Sequence, residues 1–130
     1  MWLDFIHGKE KVKFMFNDEL SLDDSEFENF LFYDLSKIRI CLNTKHIPKK
    51  IPDKWKKKEF NGLSITLILV GVSKLDLQGK RVGFICSPII EMINNEVRIS
   101  INNGDGFNLS CFADLIVIDS IDPYLDERWK

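Results

Sequence analysis

Residues 61–77 read NGLSITLILVGVSKLDL, and the middle of this stretch decides the fold. From Leu63 to Val72 large aliphatics alternate with small or β-branched residues, and no charge interrupts them. Apolar residues therefore fall on both faces of an extended chain, the pattern of a central strand covered on two sides. Immediately upstream, His46 to Phe60 reads HIPKKIPDKWKKKEF, a lysine-rich loop broken twice by proline. Pro48 and Pro52 each remove a backbone donor and push the preceding isoleucine into an extended conformation. Trp55 is the odd member, a large apolar ring set among lysines. It reads either as an anchor that pins the loop, with lysines snorkelling around it, or as an exposed contact residue, and the anchor is the preferred reading.

Working outward, most segments carry strand signals. Lys11 to Phe16 alternates, with Val12, Phe14 and Phe16 on one side. Phe27 to Tyr33 is crowded with aromatics, and Lys37 to Asn43 sets Ile38, Ile40 and Leu42 against Lys37, Arg39, Cys41 and Asn43. The short connection Asp34-Leu35-Ser36 makes these two a hairpin. Val82 to Cys86 and Ile89 to Ile93 are split by Ser87-Pro88, which predicts an edge strand or a bend. Val97 to Ile101 and Phe107 to Phe112 flank Asn103-Gly104-Asp105-Gly106, the clearest hairpin turn in the chain. Ala113 and Asp114 break the register, as a bulge would. Leu115 to Ile118 reads as a last buried strand, and Pro123 ends the regular pattern. Trp2 to His7 fits either a short helical turn or a leading strand.

At 130 residues the chain reads as a single domain, residues 1–130, large enough to bury a core without staples. Ten phenylalanines and three tryptophans against a single alanine, Ala113, favour strands over helices. The expected fold is mainly β, with α+β as the alternative: an antiparallel meander forming a curved sheet, a sandwich or a partly open barrel, with little helix.

The net charge of −2 gives no global field toward nucleic acid, but its distribution is uneven. Asp18, Glu19, Asp23, Asp24, Glu26 and Glu28 lie in one run with no base among them, whereas Lys49, Lys50, Lys54, Lys56, Lys57 and Lys58 crowd the loop. Cys41, Cys86 and Cys111 are an odd set without CxxC spacing and read as buried thiols. With His7 and His46 they form no zinc pattern, so no metal and no cofactor is expected. The chain lacks GxSxG, Walker, GxGxxG and HExxH motifs, and neither histidine sits in a nucleophile context. An acid–base pair within the acidic run would need two contrasting environments, which an exposed connection does not supply. These observations predict a non-enzyme. With no signal peptide and no apolar run of bilayer length, a cytoplasmic protein without membrane or nucleic-acid partners is expected. Monomer and homodimer both stay open.

From Leu20 to Leu77 the chain carries an acidic SLDD segment (Ser21 to Asp24), a strand hairpin, and P-x-K-W at Pro52, Lys54 and Trp55. A buried strand ending in Gly71-Val72 and a Leu-x-Leu unit at Leu75 and Leu77 follow. A glycine-turn hairpin, Leu115 to Ile118 and Tyr124 complete the pattern. Together these resemble bacterial polymorphic-toxin immunity proteins of immunity protein family fifty. The resemblance implies a non-catalytic antidote that binds a cognate toxin domain tightly and protects the producing cell. The alternative is a general protein-interaction or structural β domain unconnected to toxins. Two surfaces compete for the toxin. The acidic run Asp18, Glu19, Asp23, Asp24, Glu26 and Glu28 suits a basic toxin such as a nuclease and is preferred. Lys54, Trp55, Lys56, Lys57 and Lys58 suit an acidic face.

Overall fold

In the computed structural model, which describes residues 2–8, 10 and 20–129, two β-sheets enclose one apolar core. In chain order the strands are β1 (Ile6–His7), β2 (Ser25–Tyr33), β3 (Lys37–Thr44), β4 (Gly62–Val70) and β5 (Lys74–Gln78). Then come β6 (Phe84–Cys86), β7 (Ile89–Ile93), β8 (Glu96–Asn102), β9 (Asn108–Ala113) and β10 (Leu115–Tyr124). The six-stranded sheet runs β1-β10-β4-β3-β2-β6 and curls as a half-barrel, and the four-stranded sheet runs β5-β9-β8-β7. The fold is thus mainly β, as the composition predicts. The described helical elements include the single turns Trp2–Phe5 and Asp53–Trp55. The expected strand Lys11 to Phe16 lies outside the described residues.

The period-2 pattern explains the core. On β3, Ile38, Ile40 and Leu42 are fully buried, and on β4 so are Leu63, Ile65, Leu67 and Leu69. The register sets Leu67 between Ile40 and Ile118, and Leu69 between Ile38 and Ile116, so buried rows run across the sheet. The facing sheet contributes Val97, Ile99 and Ile101 from β8 and Leu109, Cys111 and Ala113 from β9. Cys86 and Cys111 are buried thiols, and burial pushes their pKa up to about 11, which keeps them protonated and inert at neutral pH.

Four particulars differ from the sequence reading. β4 is interior to its sheet, but only one of its faces is fully buried: Ser64, Thr66, Ile68 and Val70 on the other are half-buried. Its second apolar face is milder than a doubly covered strand requires. β1 pairs with β10 in parallel, in an otherwise antiparallel sheet; the two are the first and last strands of the described chain, so no hairpin connection constrains them to run antiparallel. β10 continues through Pro123, which pairs with Leu63, and its register shifts between Ile118 and Ser120 rather than at Ala113-Asp114. Asp114 instead turns the chain, its N–H donated to Val70 O at 3.0 Å. Finally, β4 leads to β5 in the other sheet and β6 returns, so the strands cross between layers instead of forming a simple meander.

Candidate functional site

The acidic run enters β2 through a tight turn. Ser21 Oγ accepts the Asp23 N–H at 3.1 Å, and Ser25 Oγ donates to Leu22 O at 2.7 Å. Asp24 adopts φ +53°, a left-handed conformation that aspartate tolerates better than most residues, and its N–H is donated to Ser87 Oγ at 3.1 Å. This turn projects the side chains of Asp23 and Asp24 into solvent. Leu22 and Phe27 are buried on either side and fix its position. Asp18 and Glu19 lie outside the described residues.

β2 carries a bulge between Phe27 and Asn29, which re-aims Glu28. Glu26 and Glu28 consequently both reach Asn43 on β3, whose Nδ2 donates to Glu28 Oε2 at 2.8 Å and to Glu26 Oε1 at 3.3 Å. Glu28 stays exposed. Glu26 does not: it is buried, and Arg128 grips it with two parallel bonds, Nη1 to Oε2 and Nη2 to Oε1, each 3.0 Å. This corrects the expectation of an exposed Glu26, because bidentate pairing holds its carboxylate against the body. The same guanidinium donates Nε to Asp126 Oδ1 at 3.0 Å and Nη2 to Asp126 Oδ2 at 2.6 Å. Asn61 locks the tail in turn, accepting the Asp126 N–H at 2.7 Å and donating Nδ2 to Asp126 O at 2.9 Å.

Glu26, Glu28, Asn43, Asp126 and Arg128 line a surface groove of about 460 Å³ with Glu127; Arg128 is the one base in its described lining, and Lys45 acts on Asp126 from nearby. Hydrogen bonding to Arg128 holds the carboxyls of Glu26 and Asp126 below their usual range. Burial, then the charges of Asp126 and Glu26, push the Tyr124 phenol up, so it stays protonated at neutral pH. Arg128 carried no signal in the sequence, and Asn43, which alternation places outward on β3, is instead buried beneath this network. The Glu26–Arg128 pair spans 102 residues, and only the fold brings it together.

A pH dependence follows from the sign of these shifts. A carboxylate with a depressed folded pKa adds stability that is complete above its unfolded pKa, ordinarily 4.5 for Glu26 and 3.8 for Asp126, and is lost as pH falls through the folded value. Denaturation midpoints are therefore expected to fall steeply on acidification below about pH 4. In Arg128→Ala that acid limb becomes shallower. An unchanged acid limb in the variant would show that the clamp does not set it.

The lysine loop is ordered too. Trp55 is buried and meets Phe60 edge-on with centroids 6.1 Å apart, while Pro48 is also buried. The turn is closed by bonds from Trp55 N to Pro52 O at 2.9 Å and from Lys58 N to Trp55 O at 3.0 Å. Lys54, Lys56, Lys57 and Lys58 surround the ring in solvent, with Lys56 paired to Asp53 at 3.1 Å. The structure thus separates this set: the lysines are displayed, and Trp55 holds the loop that displays them.

Among the described residues, no group of three or more histidine, cysteine, aspartate or glutamate side chains is placed to hold a metal ion. No described helix is long and apolar enough to cross a membrane. The family model for immunity protein 50 matches residues 8–124, and the chain belongs to that family. No curated protein and no solved structure matches it.

Proposed function

We propose that this chain is a cytoplasmic antidote that binds a cognate toxin domain through the acidic face at the start of β2 and blocks it without catalysis. Family membership points to a toxin as the partner. The observation that selects the face is the groove lined by Glu26, Glu28, Asp126 and Glu127, continued by exposed Asp23 and Asp24. Clustered, positionally fixed carboxylates attract a basic surface from a distance and lose little freedom on contact. A toxin that acts on nucleic acid presents such a surface, because it must itself attract phosphates.

The test reverses charge without disturbing the clamp. Glu26 is left intact, since its loss would strand Arg128 and confuse binding with stability. Asp24 becomes asparagine, which accepts its positive φ. With the product of the open reading frame directly upstream as the candidate toxin, the variant Asp23→Lys/Asp24→Asn/Glu28→Lys is expected to bind it at least about tenfold more weakly, mainly through a slower on-rate. Unchanged affinity in a folded variant would contradict the assignment of the face.

A further inference from the structure

The other end of β2 carries a different surface. Beyond Phe27, β2 pairs only with β3 among the described residues, because β6 covers just Ser25 to Phe27. The hairpin end therefore has a free edge, and apolar residues gather there: Leu31 is 45% exposed, Phe32 49% and Leu35 99%. Leu31 and Phe32 are neighbours on an extended strand and face opposite sides of the sheet, Leu31 beside Arg39 and Phe32 beside buried Ile38, so Leu35 at the tip is the apolar residue that stands wholly in solvent.

The backbone makes Leu35 the notable member. Asp34 and Leu35 take φ +51° and +68°, the two left-handed positions of a tight hairpin turn. Asparagine followed by glycine suits such a turn, and a leucine there carries a steric penalty that glycine would not. The turn is nonetheless firmly held. Ser36 N–H is donated to Asp34 O at 2.8 Å, Lys37 Nζ meets Asp34 Oδ2 at 2.9 Å, and Val72 N–H ties the tip to the body through Ser36 O at 2.9 Å. The backbone that carries this bulky, fully exposed side chain is thus fixed, at a position whose conformation disfavours it. That is the arrangement of a preorganised binding anchor.

We infer that Leu35 inserts into an apolar pocket on the same toxin domain whose basic surface meets the acidic face. This rests on the function proposed above. Both features lie along one strand, acidic at its start and apolar at its tip. Nine residues of extended chain cover about 30 Å. A typical interface of about 800 Å² per partner is about that wide. The partner surface it fits therefore has an apolar pocket flanked by base.

Leu35→Gly separates this role from a structural one, since it removes the side chain and relieves the turn at once. The variant is expected to keep or raise its melting temperature while binding the neighbouring toxin domain at least about tenfold more weakly. Leu35→Asn, which also tolerates the turn, is expected to reproduce the loss and guards against a misfolded first variant. Wild-type affinity in both variants would overturn the inference and leave the proposed function standing. Absence of binding by the wild-type chain would overturn both. Sedimentation of the free protein is expected to give a monomer. A dimer that Leu35→Gly dissociates would assign the tip to self-association and overturn the inference.

Discussion

Replacing Phe27 by alanine is expected to destabilise the protein by about 4 kcal/mol. Phe27 is fully buried and is the ring on which the two sheets meet. It stacks on Phe30 at 5.9 Å and meets Phe84 and Phe107 edge-on at 5.6 and 5.5 Å. Phe107, at the entry to β9, is itself in ring contact with Phe84 at 4.8 Å. Truncation removes the transfer free energy of a large ring, leaves a cavity, and deprives three aromatic neighbours of their contacts. Those neighbours sit on separate strands or turns, so they cannot all move inward together. A domain of this size is stable by about 5–15 kcal/mol, so the variant should survive with a much lower denaturant midpoint. Chemical unfolding at neutral pH measures it. A loss below about 1 kcal/mol would mean that the sheets do not meet through this ring.

Leu67→Ala is the second large effect, expected at about 3–4 kcal/mol. Leu67 lies in the register row Ile118–Leu67–Ile40–Phe30, and its two direct neighbours Ile118 and Ile40 are 1% and 0% exposed. Hydrogen-bonded strands flank it on both sides, which restricts collapse into the cavity and pushes the cost toward the upper part of the range for such substitutions. By contrast Ile68→Ala, one residue along on the half-buried face, should cost well under half as much. Comparing the two by chemical unfolding tests the one-sided burial of β4 directly. Equal losses would show that both faces are packed.

That contrast also marks what the sequence could convey. Alternation placed Ile38, Ile40 and Leu42 inward on β3, and turn chemistry located the Asp34–Ser36 and Asn103–Gly106 connections, because both signals are local. In Leu63 to Val72 the apolar content of both faces was legible. Whether a second layer covered the outer face was not, since burial depends on strands far away in the chain. The pairing of β10 with β4 and of β5 with β9 leaves no local mark, so the crossing between sheets was out of reach. The site divides in the same way. The acidic composition around Asp23 to Glu28 was plain, and its continuation into a groove depends on Asp126 and Arg128 from the far end of the chain. Glu26 looked like its neighbours until the fold placed a guanidinium against it. Lys54 to Lys58 was the most unusual composition, and its order comes from a buried tryptophan rather than from the lysines themselves.

We propose that the acidic face at the start of β2 is what neutralises a toxin. Growth of bacteria expressing the toxin domain from the neighbouring open reading frame tests it most directly. The wild-type chain is expected to restore growth. The Asp23→Lys/Asp24→Asn/Glu28→Lys variant, present at the same level and with the same melting temperature, is expected to leave the cells poisoned. Full protection by that variant, or none by the wild-type chain, would contradict the account.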